Sequence, residues 1–237
     1  MLPWTRLGLT VLPCGSELSL WRRGNELVVR AGSSDLMSTR SHASEELLAE
    51  LGCRDLGDQA SIFLGGLGFG YTLRAALRLS APATKITVAE LVPAMADWAR
   101  GPVGGGGYLE DPRVVLIIAD AAVLLRRAHS SFDAILLDVD NGPAPLTQAS
   151  NAWLYSGEGL KACARALRDG GRLLVWSAAD DVSFGKRMAR AGFEVRTVRA
   201  PSRRDGAKRK GATHAIFVGC RRREWEEQGE GRRSGNR

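Results

Sequence analysis

From residue 60 onward, short and nearly unbroken apolar runs alternate with helical patterns. "ASIFLGG" leads into "YTLRAALRLS", "KITVAE" into "VPAMADWAR", "RVVLIIAD" into "AAVLLRRAH", and "FDAILLD" into "LYSGEGLKACARALRDGG". "RLLVWSA", "SFGKRMARAG", "FEVRTVRA" and "HAIFVGC" complete the series. A strand that is apolar at every position must be covered on both faces. That condition is met by a parallel sheet between two layers of helices. The pattern therefore predicts an α/β chain with a Rossmann-like, doubly wound, mostly parallel seven-stranded sheet.

Ahead of it, "ELSLWRRGNELVVR" at 17–30 alternates on either side of Arg23-Gly24-Asn25 and predicts a β-hairpin. In "SHASEELLAELG" a short amphipathic helix is expected, with Ser41 or Ser44 as its cap and Gly52 as its end. Arg168-Asp169-Gly170-Gly171 is expected as a sharp turn before the next strand, and the run Gly104 to Gly107 as a surface loop. These signals divide the chain into an N-terminal hairpin module with a short helix (1–52), a ligand-binding domain (53–221) and a basic tail (222–237).

Charge narrows the partners. The net charge of +7 is concentrated after Arg199, in "RAPSRRDGAKRKGA" and "CRRREWEEQGEGRRSGNR". The last segment is polar, rich in glycine and poor in apolar residues, the composition of a solvated tail. Its one aromatic, Trp225, stands between Glu224 and Glu226 rather than among the cations as base stacking requires, so a nucleic-acid partner is disfavoured. No apolar run reaches about 18 residues, so no membrane span is expected. Cys14, Cys53, Cys163 and Cys220 have neither disulfide nor zinc spacing, and no secretory leader is recognisable. The expected setting is the cytoplasm, with reduced thiols.

In a doubly wound sheet, ligands bind beyond the carboxyl ends of the strands. The first of these ends in Gly65-Gly66-Leu67-Gly68-Phe69-Gly70, a G-x-G-x-G turn where a ligand can lie against the backbone at a helix N-terminus. The second ends in Glu90, placed to accept from the two hydroxyls of a ribose, followed by Leu91. Asp120-Ala121 ends the third, where a carboxylate can take an exocyclic amine. The fourth ends in Asp138-Val139-Asp140-Asn141-Gly142-Pro143, two carboxylates and an amide at the mouth of the site. His129 and His214 read as structural. His42 is a candidate substrate contact, and Trp153 and Tyr155 are candidate walls of an acceptor pocket.

The stretches "FLGGLGFGYTLRAAL", "ITVAELVPAMADWAR", "DPRVVLIIADAAVLLRR", "FDAILLDVDNGP" and "LYSGEGLKACARALRDGGRLLVWS" resemble, in order and spacing, the spermidine synthase-like branch of the S-adenosylmethionine-dependent transferases. The resemblance covers about residues 17–220. It implies that Gly65, Gly66 and Gly68 lie beside the amino-acid part of the donor. Glu90 with Leu91 would hold the ribose, and Asp120 with Ala121 the adenine. Asp138 would be the base toward the acceptor amine. It also implies that the hairpin module contributes to a homodimer.

The chain departs from the family at three places. Phe69 stands where aminopropyltransferases carry an aspartate. Asn141 stands at the second acid of their acceptor loop, whose pattern is D-S-S-D-P. Ala43-Ser44-Glu45 replaces a Tyr-His-Glu. A diamine dication requires several carboxylates to offset its desolvation. The expectation is therefore methyl transfer from S-adenosyl-L-methionine to a small-molecule amine or carboxylate, with Asp138, Asp140 and Asn141 as catalytic residues and Phe69 in the substrate pocket. The alternative is aminopropyl transfer from decarboxylated S-adenosylmethionine. A second alternative is a non-catalytic or nucleic-acid-binding protein.

Overall fold

The computed structural model describes residues 2–12, 15–103, 106–139, 152–201 and 213–222. A four-stranded antiparallel sheet in the order β1-β2-β3-β4 comes first: β1 (Thr5–Val11), β2 (Glu17–Arg23), β3 (Glu26–Ala31) and β4 (Ser34–Ser38). The hairpin expected at 17–30 is its centre, with Arg23 opposite Glu26 around the Gly24-Asn25 turn. Two further strands, β1 and β4, extend it on either side.

The main sheet has the order β10-β11-β9-β8-β5-β6-β7. Its strands are β5 (Ser61–Gly65), β6 (Lys85–Glu90), β7 (Val114–Ile118), β8 (Phe132–Leu137), β9 (Leu167–Ser177), β10 (Phe193–Pro201) and β11 (Thr213–Arg221). β5 pairs in parallel with both β6 and β8, and β6–β7 and β8–β9 are parallel as well. Only β11 runs against its neighbours, β9 and β10. The Rossmann-like, mostly parallel seven-stranded architecture is thus observed as expected. Its order reverses between β5 and β8, which opens a crevice at their carboxyl ends.

Helices α1 (Ala43–Cys53), α2 (Tyr71–Leu79) and α3 (Pro93–Arg100) cover one face, where Leu48, Ile62, Leu64, Leu73 and Ile86 pack together. Helices α4 (Ala121–Arg127), α5 (Gly157–Ala166) and α6 (Val182–Arg190) cover the other, around Phe63, Leu125, Leu160 and Phe184. Ile62 and Leu64 thus serve one core and Phe63 the other, which is why β5 reads as apolar throughout. A third cluster joins the N-terminal sheet to the domain: Leu18, Leu20 and Val29 meet Phe69, Met95 and Trp98. No helix among the described residues is long and apolar enough to cross a membrane.

Three local expectations change. The cap of α1 is His42, without a side-chain bond, and the Ser44 hydroxyl instead shares a hydrogen bond of 2.8 Å with His214 Nδ1. Gly52 does not end α1 but lies inside it. A Cβ there would sit 2.9 Å from Leu136 Cδ1, so the glycine lets the helix settle closely on β8. Residues 168–171 form a bulge within β9 rather than a turn ahead of it. Leu167 faces Phe132, and the next register pair is Arg172 with Ala134. The basic segments after Pro201 and Arg222, and the first two glycines of the run Gly104 to Gly107, lie outside the described residues.

Candidate active site

A cavity of about 420 Å³ opens at the carboxyl ends of β5, β6, β7 and β8. Its floor is the glycine loop, and its roof is the N-terminal sheet, through Leu18, Val29 and Met37. Gly66 and Gly68 line it with φ of +91° and +51°, a region glycine enters without strain. Gly66 also carries a contact that excludes any side chain, because a Cβ would lie 2.2 Å from the Asp138 carbonyl oxygen. Gly65 lies one step below, against Leu137, Val139 and Ala121, and its carbonyl accepts from the Asp138 N–H at 2.8 Å. The end of β8 is thereby locked onto the glycine loop.

Glu90 is buried beneath the loop. One carboxylate oxygen accepts from the Leu67 N–H at 2.9 Å, the other from the Val92 N–H at 2.8 Å. Burial raises its pKa, and these backbone bonds oppose the rise. The Gly68 and Leu91 N–H groups act on it as well, so the carboxylate is fixed in place at the edge of the cavity. Leu91, Asp120 and Ala121 line the same cavity. Asp120 also caps α4, accepting from the Ala122 N–H at 2.8 Å, which orients its carboxyl at the end of β7. Glu90→Ala removes both the loop's anchor and the carboxylate expected to hold a ribose, at about 1.5–3 kcal/mol for each bond to a charged group. The affinity for methylthioadenosine is expected to fall by roughly 100-fold or more. Calorimetric affinity within tenfold of the wild type would refute this assignment.

Asp138 lies opposite, half-buried in the cavity wall, and its Oδ2 accepts from the Thr72 hydroxyl at 2.6 Å. Burial raises its pKa to about 6, while the Thr72 bond works against the rise. Glu45, projecting from α1, lines the same cavity. Burial first, and the Asp138 charge second, push its carboxyl up. Glu45 was counted from the sequence only as the remnant of a replaced triplet, and Thr72 was not singled out at all. The one available signal was that Glu45 keeps the acid of the family's Tyr-His-Glu. Ser41, Tyr71, Trp176 and His214 complete this end of the cavity, and burial lowers the His214 pKa.

The remaining candidates sit elsewhere. Phe69 touches the cavity but is chiefly part of the roof's core, with its carbonyl held by Arg74 at 3.1 Å. His42 is not on the cavity wall. Its ring stacks on Tyr71 at 4.0 Å, and its Nδ1 lies 3.1 Å from Glu46 Oε1. Trp153 carries the Arg126 guanidinium 3.8 Å above its ring. Tyr155 is buried and donates to the Val139 carbonyl at 2.8 Å. Both support β8 and α5 from behind and do not line the cavity. Asp140 and Asn141 lie outside the described residues.

No family model matches the chain. It is similar to polyamine aminopropyltransferase 1 of Streptomyces coelicolor, at 35% identity over 127 residues. That match covers 52% of this chain and 23% of the relative. It is also similar to a polyamine aminopropyltransferase of Corynebacterium efficiens, at 34% over 148 residues, covering 60% of this chain and 27% of that protein. The chain thus spans less than a third of the length of these relatives. The crystal structure of spermidine synthase from Thermotoga maritima superposes with a TM-score of 0.72 at 16% identity, covering 91% of this chain and 72% of that one. In sequence the chain is thus similar to polyamine aminopropyltransferases, and its fold is that of spermidine synthase, in line with the branch of transferases that its motifs resemble.

These relatives overturn the expectation of methyl transfer from S-adenosyl-L-methionine, since the curated proteins that match are named for aminopropyl transfer. Methyl transfer is expected only when acids are compared loop by loop along the chain. In the folded chain an acid lost from one loop does not empty the site, because Glu45 arrives from a helix on another element.

Proposed function

We propose that the chain is an aminopropyltransferase that uses decarboxylated S-adenosylmethionine as donor and a small amine as acceptor. The observation that carries this reading is the pair Glu45 and Asp138. They are two desolvated carboxyls without a described cationic partner, in the same cavity as Glu90 and Asp120. Two half-buried acids in one cavity, with no cationic partner among the described residues, favour a cationic ligand, because an ammonium restores the interaction lost on leaving water.

Glu90 and Asp120 would hold the adenosyl part of the donor. Gly66 and Gly68, bare of side chains, let it lie against the loop. Asp138 orients the acceptor nitrogen and takes its proton. The nitrogen lone pair attacks the aminopropyl carbon attached to the sulfonium. The carbon–sulfur bond breaks, its electron pair stays on sulfur, and methylthioadenosine leaves as a neutral thioether. The chain's task is chiefly to position the two reactants and to exclude water.

Incubating the full chain with decarboxylated S-adenosylmethionine and 1,4-diaminobutane is expected to yield methylthioadenosine and an aminopropylated amine in equal amounts. In parallel, S-adenosylmethionine with the same amine should give no adenosylhomocysteine. Adenosylhomocysteine as the sole nucleoside product, or no product from either donor, would refute the reading.

A further inference from the structure

We propose that Glu45 is a second proton-holding carboxyl of the acceptor site, neutral while the site is empty and ionised when a diammonium acceptor fills it. This rests on the aminopropyltransferase reading above and adds to it a charge state that follows the ligand.

The geometry begins with Thr72. Its hydroxyl binds Asp138 Oδ2 at 2.6 Å and lies 3.4 Å from the carbonyl oxygen of Glu45, so the first turns of α1 and α2 and the end of β8 meet at one point. Both carboxyls face the cavity, and no described arginine or lysine forms an ion pair with either. The groups around Glu45 are neutral or acidic. Glu46, on its own helix, adds repulsion, and Ser44 bonds to it. Tyr71 comes from the start of α2 and Asp138 from β8. His214 from β11 is disfavoured as a cation by burial. Arg74 lies over the rings of Tyr71 and Tyr108 and donates to the Phe69 and Gly70 carbonyls. His42 approaches Glu46 instead.

Two carboxyls that line one cavity and repel each other in such surroundings resist ionising together, because each charge raises the cost of the other. Burial, with the Asp138 charge second, raises the Glu45 carboxyl further than burial raises Asp138, so the proton that the empty pair keeps sits on Glu45 and the negative charge on Asp138. One ammonium neutralises that charge. A second ammonium in the same cavity shifts Glu45 to its ionised form and expels its proton to solvent.

Calorimetry on the full chain saturated with methylthioadenosine, at pH 7.5 in buffers of different ionisation enthalpy, reads this proton directly. With 1,4-diaminobutane the wild type is expected to release about one proton per amine bound, and with n-butylamine none. Glu45→Gln, which copies the neutral carboxyl, should release none with either amine. It should also lose at least about tenfold of the diamine's affinity advantage over butylamine, one pKa unit being a factor of ten. Its methylthioadenosine affinity reports whether it has folded. Absence of proton release from the wild type with bound diamine overturns the proposal without any variant. Release that persists in folded Glu45→Gln overturns it as well, and continued turnover of the diamine would then leave the aminopropyltransferase reading standing. If neither amine binds, both fall.

Discussion

Gly66→Ala is expected to lower the stability of the whole domain by about 3–5 kcal/mol and to abolish activity. Two costs add at this position. The backbone sits at φ +91°, where a residue with a Cβ is strained, and that Cβ would come within 2.2 Å of the Asp138 carbonyl oxygen. The obstacle is main chain, which cannot swing aside as a side chain does. Relief requires β5 and β8 to part at the switch point, which also moves the Asp138 carboxyl off Thr72. A loss of this size is a large fraction of the roughly 5–15 kcal/mol that holds a domain folded. Chemical denaturation of the two proteins measures it. Gly107→Ala is a suitable control, since a Cβ there meets nothing within 4 Å. A Gly66→Ala protein within 0.5 kcal/mol of the wild type would show that the loop has another way to accommodate the methyl group.

On the proposed aminopropyl transfer, Asp138→Asn separates catalysis from stability. The amide cannot take the acceptor's proton, and kcat with decarboxylated S-adenosylmethionine is expected to fall by about 10²–10⁴-fold. In the wild type, kcat/KM should rise with pH through about 6 as the carboxyl ionises, and the variant should lack that limb. The effect on folding runs the other way. A carboxyl whose pKa is raised in the native state binds its proton more tightly there than in the unfolded chain. Its contribution to stability therefore declines as pH rises from the ordinary carboxylate range to about 6, and stays at the lower level above that. Asparagine removes this penalty and can still accept from Thr72, so the melting temperature at pH 7.5 is expected to equal or exceed that of the wild type. A variant both inactive and markedly less stable would mean that the carboxylate serves the fold first.

Much of the site is readable from sequence because a doubly wound sheet puts its chemistry at predictable points along the chain. Gly66, Gly68, Glu90, Asp120 and Asp138 each follow directly on an apolar strand, and each lines the cavity. The bonds that Glu90 makes to Leu67 and Val92 were not readable, because they depend on how the glycine loop folds back over β6. Phe69 misled for a similar reason. Read along the chain it was a missing acid, whereas in the fold it is an apolar anchor for the N-terminal sheet. His42, Trp153 and Tyr155 lie near the site in sequence, but their rings face Tyr71, Arg126 and Phe184.

The sequence alone determined the layered α/β architecture, the end of the sheet that takes a ligand, and the branch of transferases the chain resembles. Those properties follow from runs of apolar residues and from what stands immediately after them, both of which are local. Which acids face one another was decided only by the tertiary structure. Glu45 and Asp138 come to line one cavity through the packing of α1 against β8, where Gly52 permits the close approach to Leu136. Whether a carboxyl keeps its proton depends on burial and on its spatial neighbours, and neither is a property of position along the chain.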